Sequence, residues 1–236
     1  IYEGSYDWTI DKLIDCASTQ DLLFEPGSGF NYSNIGYFLL GKIIEENTGS
    51  TVIELINDKI CIPLKLENTF MSSSAEFPGE TIHGYDESSG SIDDITGTQA
   101  ANAINFELSW TAGGIISTID DMAVWARALS NGSLISENMH EQQMPVLNPP
   151  SETNPYYSGY GMGIKQSDKW IGHNGAISGY VCYMFYYPEK DVSIVTFFNK
   201  FSAFNEEINL KDITAVGHNF MGIAKYVCPE TLIPEE

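Results

Sequence analysis

Apolar positions in the first half of the chain recur at helical spacing. Between residues 8 and 20, Ile10, Leu13, Ile14 and Ala17 share one face, which predicts an amphipathic helix. Glu25-Pro26-Gly27-Ser28-Gly29 then reads as a turn. A second helix is predicted from about Ile35 to Asn47, with Leu39, Leu40, Ile43 and Ile44 on one face and Gly49 placed to end it. Thr51 and Glu54 stand at capping-box spacing and open a third helix through about Ile60, which Pro63 stops. Thr118-Ile119-Asp120-Asp121 carries the same signature ahead of a fourth helix, through about Leu129, closed by Asn131-Gly132. Between the third and fourth helices, residues 71–105 are rich in Ser, Gly, Asp and Asn. They read as a long irregular excursion with short strands near 82–85, and loops of that length are uncommon unless functional. Thr111-Ala112-Gly113-Gly114 is a tight passage, and 145–155 is a further loop.

The pattern changes in the last third. Residues 170–173, 179–187 and 192–199 are rich in aromatic and β-branched side chains and read as strands. Pro188-Glu189-Lys190-Asp191 is placed as a hairpin turn, and a closing helix is predicted over about 206–226. Helices, then antiparallel strands, then a helix imply an α+β arrangement. The chain reads as one domain over 1–236, mostly helical over 1–130, with a sheet region and closing helix over 160–236. There is no P-loop and no GxGxxG at a strand–helix junction.

Composition sharpens this picture. Hydrophobic residues make up 43% and aromatics 12%, enough for an ordinary core. Against 32 acidic residues stand 11 basic ones, a formal net charge of -21. Such a surface repels phosphate backbones, which argues against nucleic-acid binding. No stretch approaches the ~20 apolar residues that span a bilayer. Cys16, Cys61, Cys182 and Cys228 form no CxxC pair, and the four histidines show neither HExxH nor HxH spacing. No metal site and no cofactor is implied.

Two triplets carry candidate chemistry. Tyr32-Ser33-Asn34 lies between a Pro-Gly turn and a helix. A tyrosine there can shuttle a proton if cations lower its pKa, and Asn34 can hold a substrate amide. Taken alone, the bland reading is a packed Tyr beside an Asn helix cap. His173-Asn174-Gly175 stands at the end of a predicted strand. His173 there can donate a hydrogen bond or carry charge, and Gly175 admits a substrate to the strand edge. Its bland reading is a strand-terminal His before a turn Gly.

Together the triplets resemble the second and third motifs, Tyr-x-Asn and His-x-Gly, of the serine β-lactamase and penicillin-binding protein family. This includes its class C β-lactamase, D,D-peptidase and esterase branches. The context is similar too: Phe24 to Tyr37 around the tyrosine, and Ile62-Pro63-Leu64-Lys65 with Lys65 in place of the usual Gly. Ala112-Gly113-Gly114 to Asp121 at the helix entry and Gly172 to Gly175 followed by Gly179-Tyr180 complete it.

The resemblance implies a β-lactamase/transpeptidase-like fold, with an antiparallel sheet flanked by helices and a mostly helical subdomain. It also implies a serine acyl-hydrolase working through an acyl-enzyme on β-lactam, D-amino-acid peptide or ester substrates. Tyr32 would be general base or proton relay and Asn34 would orient the substrate amide. His173 would take the place of the third-motif Lys. Gly175 and the backbone N–H of Ala176 would face the substrate carbonyl. The His form leans toward D-peptidases and esterases, and cell-wall-directed relatives act outside the cytoplasm.

The family's first motif, Ser-x-x-Lys, is absent from this sequence, and the nearest match is Thr9-Ile10-Asp11-Lys12. The expectation is that the N-terminal strands and the nucleophile lie outside the sequence, on an upstream segment or a separate fragment. The alternative is an inactive relative that serves as a binding protein.

Overall fold

The computed structural model describes residues 8–71, 81–87, 89–96, 109–144, 159–202 and 206–230. The helical half runs α1 (Ile10–Ser18), α2 (Asn34–Thr48), α3 (Val52–Ile56) and α4 (Ile62–Leu64), followed by α5 (Ile119–Ser130) and α6 (Glu137–Gln143). Thr51 and Glu54 form the full reciprocal capping box of α3. Thr118 caps α5 by accepting from the Asp121 N–H. The Asp121 carboxylate, however, turns away from that box. It accepts from the Asn68 N–H and the Thr69 hydroxyl, both at 2.8 Å, and so ties the 68–69 turn to α5.

Pro63 does not stop the third helix. A π-helical turn over Asn57–Cys61 leads into α4 with Pro63 in its first turn, where a missing N–H costs nothing. The stop comes at Lys65, which adopts the left-handed conformation (φ 55), while the Leu66 N–H reaches back to the Cys61 carbonyl.

On α2 the buried positions are Phe38 and Gly41. A β-carbon on Gly41 would sit 2.6 Å from the Trp110 ring, so only Gly lets the Trp110–Ala112 turn pack there. Leu39, Leu40, Ile43 and Ile44 are exposed.

Two short antiparallel pairs form: β1 (Phe70–Met71) with β4 (Ile115–Ile116), beside α3, and β2 (Tyr85–Asp86) with β3 (Asp93–Asp94), beside residues 199–201. Residues 72–80, 88 and 97–105 of the 71–105 excursion, and the predicted loop over 145–155, lie outside the described residues.

The main sheet is an antiparallel meander of five strands. They are β5 (Gly159–Tyr160), β6 (Lys165–Ser167), β7 (Trp170–Ile177), β8 (Tyr180–Tyr187) and β9 (Val192–Phe198). Alternation along β8 divides the core. Val181, Tyr183, Phe185 and Tyr187 pack with Val216, Phe220, Met221 and Ala224 of α7 (Glu206–Val227). Met184 and Tyr186 pack on the opposite face with Ala126, Met122 and Trp125 of α5.

Strand β7 is longer than its sequence pattern predicts. It runs through His173 and Gly175 to a turn at Ser178-Gly179, so both residues lie within the strand. Gly179 has φ 82, which suits it to the hairpin.

Candidate active site

Three pieces of chain meet at the edge of the main sheet. The first is the extended segment entering α2. Ser33 is the helix cap, accepting from the Gly36 N–H, which leaves Asn34 as the first helical residue with an exposed side chain. Tyr32 precedes the cap and is half-exposed. The second piece is the β5–β6 hairpin. Its Gly163 has φ 73, and the Tyr37 hydroxyl lies 2.7 Å from where a β-carbon would stand, so α2 and the hairpin approach closely. Strand β7 is the third. A β-carbon on Gly172 would lie 2.0 Å from the Met184 carbonyl, so β7 can pair with β8 there only through glycine.

Tyr32 and His173, far apart in sequence, are brought together with ring centroids 6.2 Å apart. Tyr160 of β5 stands edge-on to Tyr32 at 5.9 Å and within 5.2 Å of Phe30. Gly175 pairs with Cys182 and Ala176 with Val181, and Ala176 is exposed. Gly175 is half-buried, with the Cys182 sulfur close beneath.

The hydrogen bonds of His173 define its state. Its Nδ1 lies 2.6 Å from the Asn174 carbonyl oxygen, which can only accept, so Nδ1 carries the proton. Its Nε2 lies 3.1 Å from the Tyr160 hydroxyl. Burial, then the nearby Lys165 ammonium, lowers the imidazole pKa to about 4, against a weaker opposing pull from the Asn174 carbonyl. At neutral pH the ring is therefore neutral, and Nε2 accepts from Tyr160.

Lys165 is the cation of this cluster. It is buried on β6, donates to the Asn174 side-chain oxygen at 2.5 Å, and places its ammonium 5.8 Å from the Tyr32 ring centroid. Burial lowers its pKa to about 8. The ammonium faces the ring. Burial and the neighbouring Tyr37 hold the Tyr32 phenol above its ordinary value.

Sequence reasoning reached Tyr32 and His173 but not Tyr160 or Lys165. Only the register of the sheet, which pairs Lys165 with both Tyr160 and Gly172, reveals them. Among the described residues no group of three His, Cys, Asp or Glu side chains is placed to hold a metal ion.

Comparison with known proteins bears on the family and the fold. The Beta-lactamase family profile matches residues 2–216. A D-aminopeptidase of Gluconobacter oxydans is 27% identical over 199 residues, covering 81% of this chain and 35% of that protein. The crystal structure of a D-amino acid amidase from Ochrobactrum anthropi, complexed with L-phenylalanine amide, superposes with a TM-score of 0.76. It has 22% identity over 95% of this chain and 65% of that one. A D-stereospecific amidohydrolase from Streptomyces has a TM-score of 0.73 and 24% identity, over 86% and 60%. The chain thus spans about a third of that aminopeptidase's length and under two thirds of either solved structure.

Proposed function

We propose, for a chain that belongs to the beta-lactamase family, that it forms part of a serine acyl-hydrolase acting on amides and short peptides of D-amino acids. In this reading a serine on polypeptide outside residues 1–236 attacks the carbonyl carbon. The amine leaves with a proton, and water hydrolyses the acyl-enzyme. Tyr32 relays the proton and Asn34 orients the substrate amide. The backbone N–H of Ala176 faces the developing oxyanion, beside Gly175. Such a donor contributes about 2.7–4 kcal/mol to a transition state. The observation that carries the reading is the meeting of Tyr32 with His173 at one sheet edge.

Two further points support it. The aminopeptidase and amidase relatives act, by their names, on D-amino-acid compounds. A tyrosine whose pKa is raised also needs a cation at its oxygen to work near neutral pH. In this family the Lys of Ser-x-x-Lys lies beside that Tyr, so the same missing segment would supply both nucleophile and cation.

The absence of Ser-x-x-Lys from these 236 residues favours a second reading, a binding protein that has lost its nucleophile. One experiment separates the two. The protein, expressed from its natural gene, is assayed with D- and L-amino-acid anilides, a p-nitrophenyl ester and a chromogenic cephalosporin. Its intact mass is taken after exposure to a fluorescent penicillin. Turnover of the D-anilide, lowered about 10²–10⁴-fold by Tyr32→Phe, is expected. No turnover and no covalent adduct would leave only the binding protein. Much faster cephalosporin cleavage would overturn the substrate class.

A further inference from the structure

We propose that Lys165 is a positioning residue of this site. Its ammonium, packed against the Tyr32 ring and bonded to Asn174, carries the positive charge of the cluster and opposes protonation of His173. The inference rests on the proposed reading of the site for its consequence in catalysis. Its physical content concerns only residues of this chain.

Geometry makes the case. Lys165 is 8% exposed, so its charge is not dissipated into solvent. The 2.5 Å bond to the Asn174 side-chain oxygen fixes it to β7, and its ammonium also lies against the face of Tyr32. A cation desolvated over an aromatic face is attracted by the ring's quadrupole. The charge therefore bridges the two motif-bearing segments, α2 and β7. A second positive charge on the adjoining His173 ring would be repelled.

The hydrogen bonds of His173 agree. Nδ1–H donates to a carbonyl, and Nε2 is left to accept from the Tyr160 hydroxyl. A doubly protonated ring would have to reverse that bond and donate from Nε2 to the Tyr160 oxygen. The groups that face Lys165 include the neutral amide of Asn174 and the ring of Tyr32, with the His173 ring on the adjoining strand. The site thus divides its labour. Lys165 supplies charge from one strand, and His173 supplies a neutral acceptor from the next.

The test is the titration of the histidine ring protons by NMR in wild type, Lys165→Met and Lys165→Arg. There are four histidines, and His173→Gln identifies the relevant signal. The expected result is a His173 midpoint about one pH unit higher in Lys165→Met than in wild type. Lys165→Arg should restore a low midpoint, and the other three histidines should stay unmoved. Coincident His173 midpoints in the three proteins would overturn the proposal.

If Lys165→Met does not fold, Lys165→Gln, which keeps a donor for Asn174, takes its place. Wild-type protein supplies an independent measurement. Isotope-labelled lysine, with the signal assigned by its loss in Lys165→Arg, should show Lys165 titrating below the remaining nine lysines. A Lys165 midpoint below that of His173 would leave no charge to act on the ring and would overturn the proposal equally.

The activity arm is separate. On any amide or ester the natural protein hydrolyses, Lys165→Met should lower kcat at least tenfold with little change in KM, and Lys165→Arg should recover most of it. An unchanged kcat and pH profile in Lys165→Met would remove the positioning role. Absence of all turnover in wild type would count against the proposed function while the NMR result still decides the charge.

Discussion

At the scale of single residues, the most informative position outside the site is Lys65. Its φ of 55 is left-handed, where a β-carbon meets the following carbonyl at a cost of about 1–2 kcal/mol. Its side chain is exposed. Lys65→Gly relieves the strain and gives back part of the gain as unfolded-chain entropy, so a net stabilisation of about 0.5–1 kcal/mol is expected from chemical denaturation. The family resemblance already marks the position, since it implies Gly where Lys65 stands. What the sequence lacks is the reason, which is a helix that continues through a π turn past Pro63 and needs a left-handed stop.

His173 yields a pH prediction. Its unfolded pKa is near 6.5 and its folded value is about 4, so the unfolded chain binds the proton first as pH falls. Above 6.5 the group contributes no pH dependence. Between 6.5 and 4 stability is lost, approaching about 3 kcal/mol below 4. His173→Gln is expected to remove that slope between pH 6.5 and 4 in thermal melts, and an unchanged slope would mean the ring is not held neutral by the fold.

At the scale of elements, local signals were read well wherever they act locally. The Thr51–Glu54 box, the 188–191 turn and the closing helix all form. Signals that compete with tertiary partners were read less well. Asp121 has capping-box spacing, yet its carboxylate holds Asn68 and Thr69 across a gap of more than fifty residues. Asn174-Gly175 has the composition of a turn, yet β7 continues through it because β8 offers partners as far as Tyr180. The apolar run Leu39, Leu40, Ile43 and Ile44 names a face of α2 but not its neighbour. The helix is instead buried through Phe38 and Gly41, where a glycine admits Trp110. Tyr32 and His173 were legible because each sits in a motif, whereas Lys165 and Tyr160 belong to the site only through strand register. The Asp121 link gives a graded prediction. Asp121→Ala strips two charge-assisted acceptor contacts from a buried position and is expected to cost on the order of 3 kcal/mol. Asp121→Asn keeps an acceptor oxygen in place and should cost about 1 kcal/mol. Equal losses in the two variants, measured by urea denaturation, would show that the packing and not the acceptor matters.

For the whole molecule, two opposing features meet on one surface. The net charge of -21 keeps copies apart. Against it stand apolar faces, with Leu39, Leu40, Ile43 and Ile44 on α2 and the outer edge of β9, where Phe197 is exposed. Among the described residues, β9 pairs with β8 on one side. Beyond its end, Tyr85 takes up the Asn199 carbonyl and the Phe201 N–H and so covers the continuation of that edge, while among the described residues no strand pairs with the outer side of Val192–Phe198. An open strand edge with apolar side chains recruits another strand. Electrostatic repulsion is screened over about 10 Å at 0.1 M salt, whereas strand pairing and apolar burial are not screened. A polypeptide of residues 1–236 alone is therefore expected to associate, and to do so more strongly as salt rises. Phe197→Lys should weaken that association by setting a charge on the edge. Sedimentation velocity at low and high salt checks both statements. A monodisperse monomer under both conditions would mean that this edge and the α2 face are stable in water as they stand, and that the fold has no need of a further strand beside β9.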